Sequence, residues 1–124
     1  MTYDKDNIFA KIIRGEIPSN KVFEDEKVLA FFDILKAAPT HVLVIPKGEY
    51  IDFCDFVSQA KAEEVKYFFN KVKEIAQELK IVNSGFRVIS NIGTDAHQSV
   101  KHFHLHILAG KKLGPLIASD NKLR

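Results

Sequence analysis

His102-Phe103-His104-Leu105-His106-Ile107-Leu108 alternates strictly between imidazole and large apolar side chains up to Ile107. Successive side chains of a β-strand point to opposite faces, so the stretch predicts a strand with three histidines on one face and Phe103, Leu105 and Ile107 on the other. One face suits a core and the other suits chemistry. The chain holds five histidines, so three on one face is a poor accident for an ordinary solvated strand.

Working outward, SVKHFHLHILA is the fifth of five predicted strands, reached through the polar loop NIGTDAHQ. Upstream, KVFEDE, VLAFFDI and HVLVIP are rich in Val, Phe and Leu and read as strands, the first two joined as a hairpin through Asp25 and Glu26. FRVISN makes the fourth strand. Near the N-terminus, Asp6 or Asn7 caps a short helix carrying Ile8, Phe9, Ile12 and Ile13, which Gly15 ends. From about Ser58 to Lys80, Val65, Phe68, Phe69, Val72, Ile75, Ala76 and Leu79 recur at spacings of three and four, which predicts one long amphipathic helix broken by Asn83-Ser84-Gly85. Hairpin-like strands with segregated helices argue for an α+β fold with a mainly antiparallel sheet.

At 124 residues the chain reads as one domain, residues 1–124, with no repeat or linker. A net charge of +2 argues against a nucleic-acid partner. No apolar run approaches the roughly 20 residues of a membrane span. Cys54 is the single cysteine and the N-terminus carries charge where a signal peptide needs an apolar run, so a cytoplasmic protein is expected.

Two chemistries compete for the histidines. On a strand rising about 3.3 Å per residue, His102 and His106 lie roughly 13 Å apart at Cα, whereas tetrahedral zinc holds each ligand nitrogen at about 2.0–2.1 Å. One ion cannot take all three in a row; two of them with a third ligand such as His41 stay open as an alternative. The other chemistry is nucleophilic: a neutral imidazole attacks through one nitrogen when a hydrogen bond holds the proton on the other. Its neighbours at plus and minus two can bind the oxygens of an anionic electrophile, a phosphate ester or anhydride. This reading requires no metal and no other cofactor. Alternation also puts Phe31 and Asp33 on one face of their strand, and a carboxylate there can accept from the two hydroxyls of a ribose.

The motif resembles the His-x-His-x-His-x-x signature of the histidine triad (HIT) family. NIFAKIIRGEIPS, VLAFFDI, APTHVLVIPK, FRVISN and QSVKHFHLHIL resemble, in order, its Hint-like branch of nucleotide-binding hydrolases. The resemblance implies that His104 attacks the α-phosphorus of a purine nucleoside 5′-phosphoramidate or related conjugate, forming a nucleotidyl-histidine that water hydrolyses. It implies that the His102 carbonyl fixes the His104 tautomer, and that His106, Ser99 and Asn91 meet the phosphate or leaving group. Asp33 would hold the ribose, His41 would lie near the nucleotide, and Ile8, Phe9, Ile12, Phe31, Ile34 and Leu43 would line the base pocket. Simple alternation points Ile34 away from Asp33. A homodimer is implied by the resemblance alone.

Two features depart from that pattern. His97 stands where the family usually has Gly, so it could crowd the phosphate, add a cationic contact or turn to solvent. The tail LGPLIASDNKLR replaces the usual Trp-Pro-Pro segment. A dinucleoside polyphosphate hydrolase, and a nucleotide- or partner-binding module with little catalysis, stand as alternative functions.

Overall fold

The computed structural model describes residues 2–116. In chain order it contains α1 (Ile8–Ile13), β1 (Lys21–Glu24), β2 (Val28–Phe32), β3 (Thr40–Pro46), α2 (Phe53–Gln59), α3 (Ala62–Glu78), β4 (Arg87–Ile89) and β5 (Leu105–Ala109). The strands form one antiparallel sheet in the order β1-β2-β3-β5-β4. This is the expected α+β class, with β5 paired on both sides and therefore in the sheet's interior.

The period-two pattern sorts the side chains onto two faces. Val42, Val44, Phe103, Leu105 and Ile107 pack on one face against Phe56 of α2 and Phe68, Val72 and Ile75 of α3. Leu29, Phe31, Leu43 and Ile45 pack on the other against Phe9 and Ile12 of α1. Each such side chain contributes roughly 1.5–3 kcal/mol when fully buried, so a one-residue slip of any central strand would exchange core for solvent along its length. Asn7 caps α1 by accepting from the Ala10 amide at 2.9 Å, and Gly15, at φ +80°, ends it in the left-handed conformation that glycine adopts freely.

Several boundaries differ from the expectation. β1 stops at Glu24, because the Asp25 carboxylate turns back to accept from the Lys27 and Val28 amides. The long helix is two: Ala60 and Lys61 are extended, and a separate helix, α2, precedes α3 with Asp52 as its cap. β4 is confined to Arg87–Ile89.

The fifth strand is also shorter than its alternation suggests, and its ladder starts only at Leu105, so His102 and His104 precede it. Opposite them β3 ends in Pro46, which has no amide hydrogen to continue the ladder. The Phe103 amide is satisfied instead by the Tyr50 carbonyl at 2.7 Å. Side-chain alternation nevertheless runs on through Phe103. The tail is described only as far as Leu116; residues 117–124 lie outside the described residues.

Candidate active site

β5, the segment leading into it and β3 bring four histidines together. His102, His104 and His41 are buried and His106 is half-buried. Their hydrogen bonds decide which nitrogen of each neutral ring carries the proton, because a carbonyl only accepts and an amide only donates. His104 Nδ1 lies 2.7 Å from the His102 carbonyl, so it holds the proton and leaves Nε2 as the basic nitrogen. The Ala37 amide donates to His41 Nδ1 at 3.0 Å, which puts the His41 proton on Nε2. That N–H donates to His106 Nδ1 at 2.8 Å, and the His106 proton is thereby placed on Nε2. His102 Nε2 donates to the Pro46 carbonyl at 2.8 Å, while its Nδ1 accepts from the Tyr3 hydroxyl at 2.6 Å.

Burial keeps these rings neutral by penalising the imidazolium. It lowers His102 and His106 to about 4, the latter with added repulsion from His104 and His41. His104 is lowered by burial, partly offset by its bond to the His102 carbonyl and by Asp33. His41 is lowered by burial and partly restored by Asp33, whose Oδ2 lies 3.4 Å from His41 Nε2. A neutral, tautomerically ordered imidazole is the form needed for nucleophilic attack.

Around these rings lie two adjoining cavities. The larger, of about 330 Å³, is lined by His104, His106, Ser99, Asn91, His97 and Leu35. The smaller, of about 200 Å³, is mainly apolar and is lined by Ile12, Phe31, Ile34 and their neighbours. Ile8, Phe9, Asp33 and Leu43 are common to both. Ile34 thus shares a wall with Phe31 and Asp33, against simple alternation: β2 ends at Phe32, and the Leu35 amide donates to Asp33 Oδ1 at 2.8 Å in a turn that redirects the chain. The expected site residues are therefore assembled at one place, with His41 and His102 behind the cavity wall.

His97 lines the larger cavity, exposed and at φ +59°. This left-handed backbone is costly for most side chains but available to glycine. Buried Gln98 next to it staples the loop: its amide donates to the carbonyls of Ile51 and Val100 at 2.8 and 3.1 Å, and its oxygen accepts from the Gly93 amide at 3.1 Å. Sequence reading took Gln98 only as part of a motif and missed Tyr3 altogether. A glutamine in the polar loop just before the histidine motif is a readable signal for the first. Nothing local marks a tyrosine 99 residues away from its partner.

Asp33, His41 and His106 have ligand atoms within 4.8 Å of one another, the spacing a cation would need. The ring chemistry opposes it. His41 Nε2 carries a proton because Nδ1 is occupied by the Ala37 amide, so binding a metal through Nε2 would require breaking that bond.

An antiparallel sheet carrying an ordered histidine triad, with His104 and His106 lining a cavity and His102 buried behind them, defines a histidine triad protein. Residues 14–113 match the HIT domain, and the chain belongs to the HIT family. It is similar to an uncharacterised HIT-like protein of Azospirillum brasilense, 51% identical over 94% of this chain and 95% of the relative. It is also similar to the purine nucleoside phosphoramidase of Escherichia coli K12, 40% identical over 92% of this chain and 95% of that protein. A solved HIT family hydrolase from Clostridium thermocellum superimposes with a TM-score of 0.84 at 38% identity, covering 92% of this chain and 98% of the other.

Proposed function

We propose that this protein is a nucleotidyl hydrolase that cleaves purine nucleoside 5′-phosphoramidates or related nucleotidyl conjugates through a covalent intermediate on His104. The observation that carries the reading is the 2.7 Å bond from His104 Nδ1–H to the His102 carbonyl, which leaves Nε2 as the basic nitrogen of a ring lining the cavity. The Escherichia coli relative, named a purine nucleoside phosphoramidase, supports the choice of substrate.

In the first step His104 Nε2 donates its lone pair to the α-phosphorus. The new N–P bond forms as the bond to the leaving nitrogen breaks, and that nitrogen takes one proton from solvent and departs as the neutral amine. Water then attacks phosphorus, the bond to His104 breaks, and a nucleoside 5′-monophosphate leaves with the lone pair restored on Nε2. The proton gained by the amine is balanced by the one lost from water. His106 Nε2–H and the Ser99 hydroxyl are suited to donate to the phosphate oxygens on which charge builds, and Asn91 to position the same group. Asp33 suits the ribose hydroxyls, and the apolar cavity suits a base. No metal or other cofactor enters these steps.

Two further elements belong to this reading. The chain acts as a single domain of the cytoplasm, and it pairs as a homodimer. β4 is one of the two edges of the sheet and carries exposed Val88, a surface on which a second copy can add.

The test is turnover of adenosine 5′-phosphoramidate and diadenosine polyphosphates side by side, before and after chelation, with mass spectrometry of the quenched protein. Hydrolysis of the phosphoramidate with a nucleotidyl adduct on His104, both absent in His104→Ala, is expected. Wild-type turnover in His104→Ala would sink the mechanism. Preference for the dinucleotide would move the substrate assignment, and tight AMP binding without any hydrolysis would make the protein a binding module.

A further inference from the structure

The segment before α1 passes behind the triad and touches it at one polar contact. The Tyr3 hydroxyl lies 2.6 Å from His102 Nδ1, with the two rings edge-on at a centroid distance of 5.6 Å. His102 Nε2 already donates to the Pro46 carbonyl, so Nδ1 carries the lone pair and the phenol is the donor. Burial raises the phenol above its ordinary value, which keeps that proton in place. His102 has no exposed surface while the hydroxyl is in place. The segment is itself tied down: Lys5 pairs with Glu49 at 3.0 Å, and Arg14 donates to the Lys5 carbonyl at 2.7 Å.

We infer that Tyr3 is a positioning residue for His104. Its O–H and the Pro46 carbonyl clamp the His102 ring at both nitrogens, and the clamped residue presents its own backbone carbonyl to His104 Nδ1–H. Tyr3 touches no reacting atom. Without it, His102 keeps a buried acceptor with no partner. The competing tautomer, with the proton on Nδ1, would turn a bare Nε2 lone pair toward the Pro46 carbonyl, so the ring must shift and take the His102 carbonyl with it. Phe9, packed edge-on against both rings at 6.4 and 4.9 Å, limits that shift but supplies no hydrogen bond.

The experiment is Tyr3→Phe in the full chain, which keeps the aromatic ring and deletes only the donor. With ¹⁵N-labelled histidine, the His102 Nδ1 resonance is expected to move toward the value of a free acceptor. A kcat about fivefold lower, as for the loss of one net hydrogen bond, is expected with KM within about twofold of wild type. A rise in KM at unchanged kcat, or no kinetic change, overturns the positioning role. A His102 resonance identical in the two proteins overturns the clamp. The kinetic half rests on the proposed hydrolysis. Were wild-type protein inactive on every nucleotidyl substrate, that function would fall, while the His102 resonance would still decide whether Tyr3 holds the ring.

Discussion

Lowering the pH should destabilise this protein in a window set by His102. The unfolded ring has an ordinary pKa of 6.5, whereas burial holds the native ring at about 4. Between these values the unfolded chain binds a proton that the native state refuses, so stability falls as pH drops from 6.5 and levels off near 4. Each pH unit costs about 1.4 kcal/mol, so going from pH 6.5 to 5 removes about 2 kcal/mol through His102 alone. The ring has no exposed surface, so solvent screening takes little from this figure. Half-buried His106, also lowered to about 4, adds a smaller share. The assay is urea denaturation at pH 7 and pH 5 on wild type and His102→Gln, a non-titrating variant that retains an N–H donor for Pro46. Wild type should lose about 2 kcal/mol more than the variant over this interval. Equal losses in the two proteins would refute the idea that a buried neutral His102 sets the acid limit of the fold.

Other outcomes follow from the same geometry. His41→Ala removes the donor that sets the His106 tautomer and should lower kcat roughly tenfold, about 1.4 kcal/mol of barrier, while AMP affinity measured by calorimetry changes less. Asp33→Ala should weaken AMP binding about tenfold but 2′,3′-dideoxy-AMP binding little, because the second ligand lacks the hydroxyls the carboxylate accepts from. His97→Val, a β-branched residue at φ +59°, should destabilise by about 1–2 kcal/mol in thermal unfolding, whereas His97→Gly should not.

Much of the fold could be read from periodicity. Alternation around His104 separated the two faces of β5 and of the segment leading into it, and the helical spacing of Phe68, Val72 and Ile75 identified the core face of α3. Such patterns are local because adjacent side chains must divide between core and cavity wherever the sheet is placed. The boundaries were less legible. The start of β5 depends on Pro46 of another strand, and the split between α2 and α3 depends on two extended residues that apolar spacing did not mark.

The site divides in the same way. The chain by itself determined that three imidazoles share a face and that Phe31 and Asp33 share another. Tertiary structure decided which nitrogen of each imidazole carries a proton. Those choices are made by the Ala37 amide, the carbonyls of Pro46 and His102, and the Tyr3 hydroxyl, of which Pro46 and Tyr3 are distant in sequence from the ring they fix. It also decided that Ile34 stands, largely exposed, at the border of the apolar cavity beside Asp33 and that Gln98 pins the loop bearing His97. The physical reason is that a tautomer, unlike a hydrophobic face, is set by a single hydrogen-bond partner at about 3 Å or less, and only the folded chain determines which partner that is.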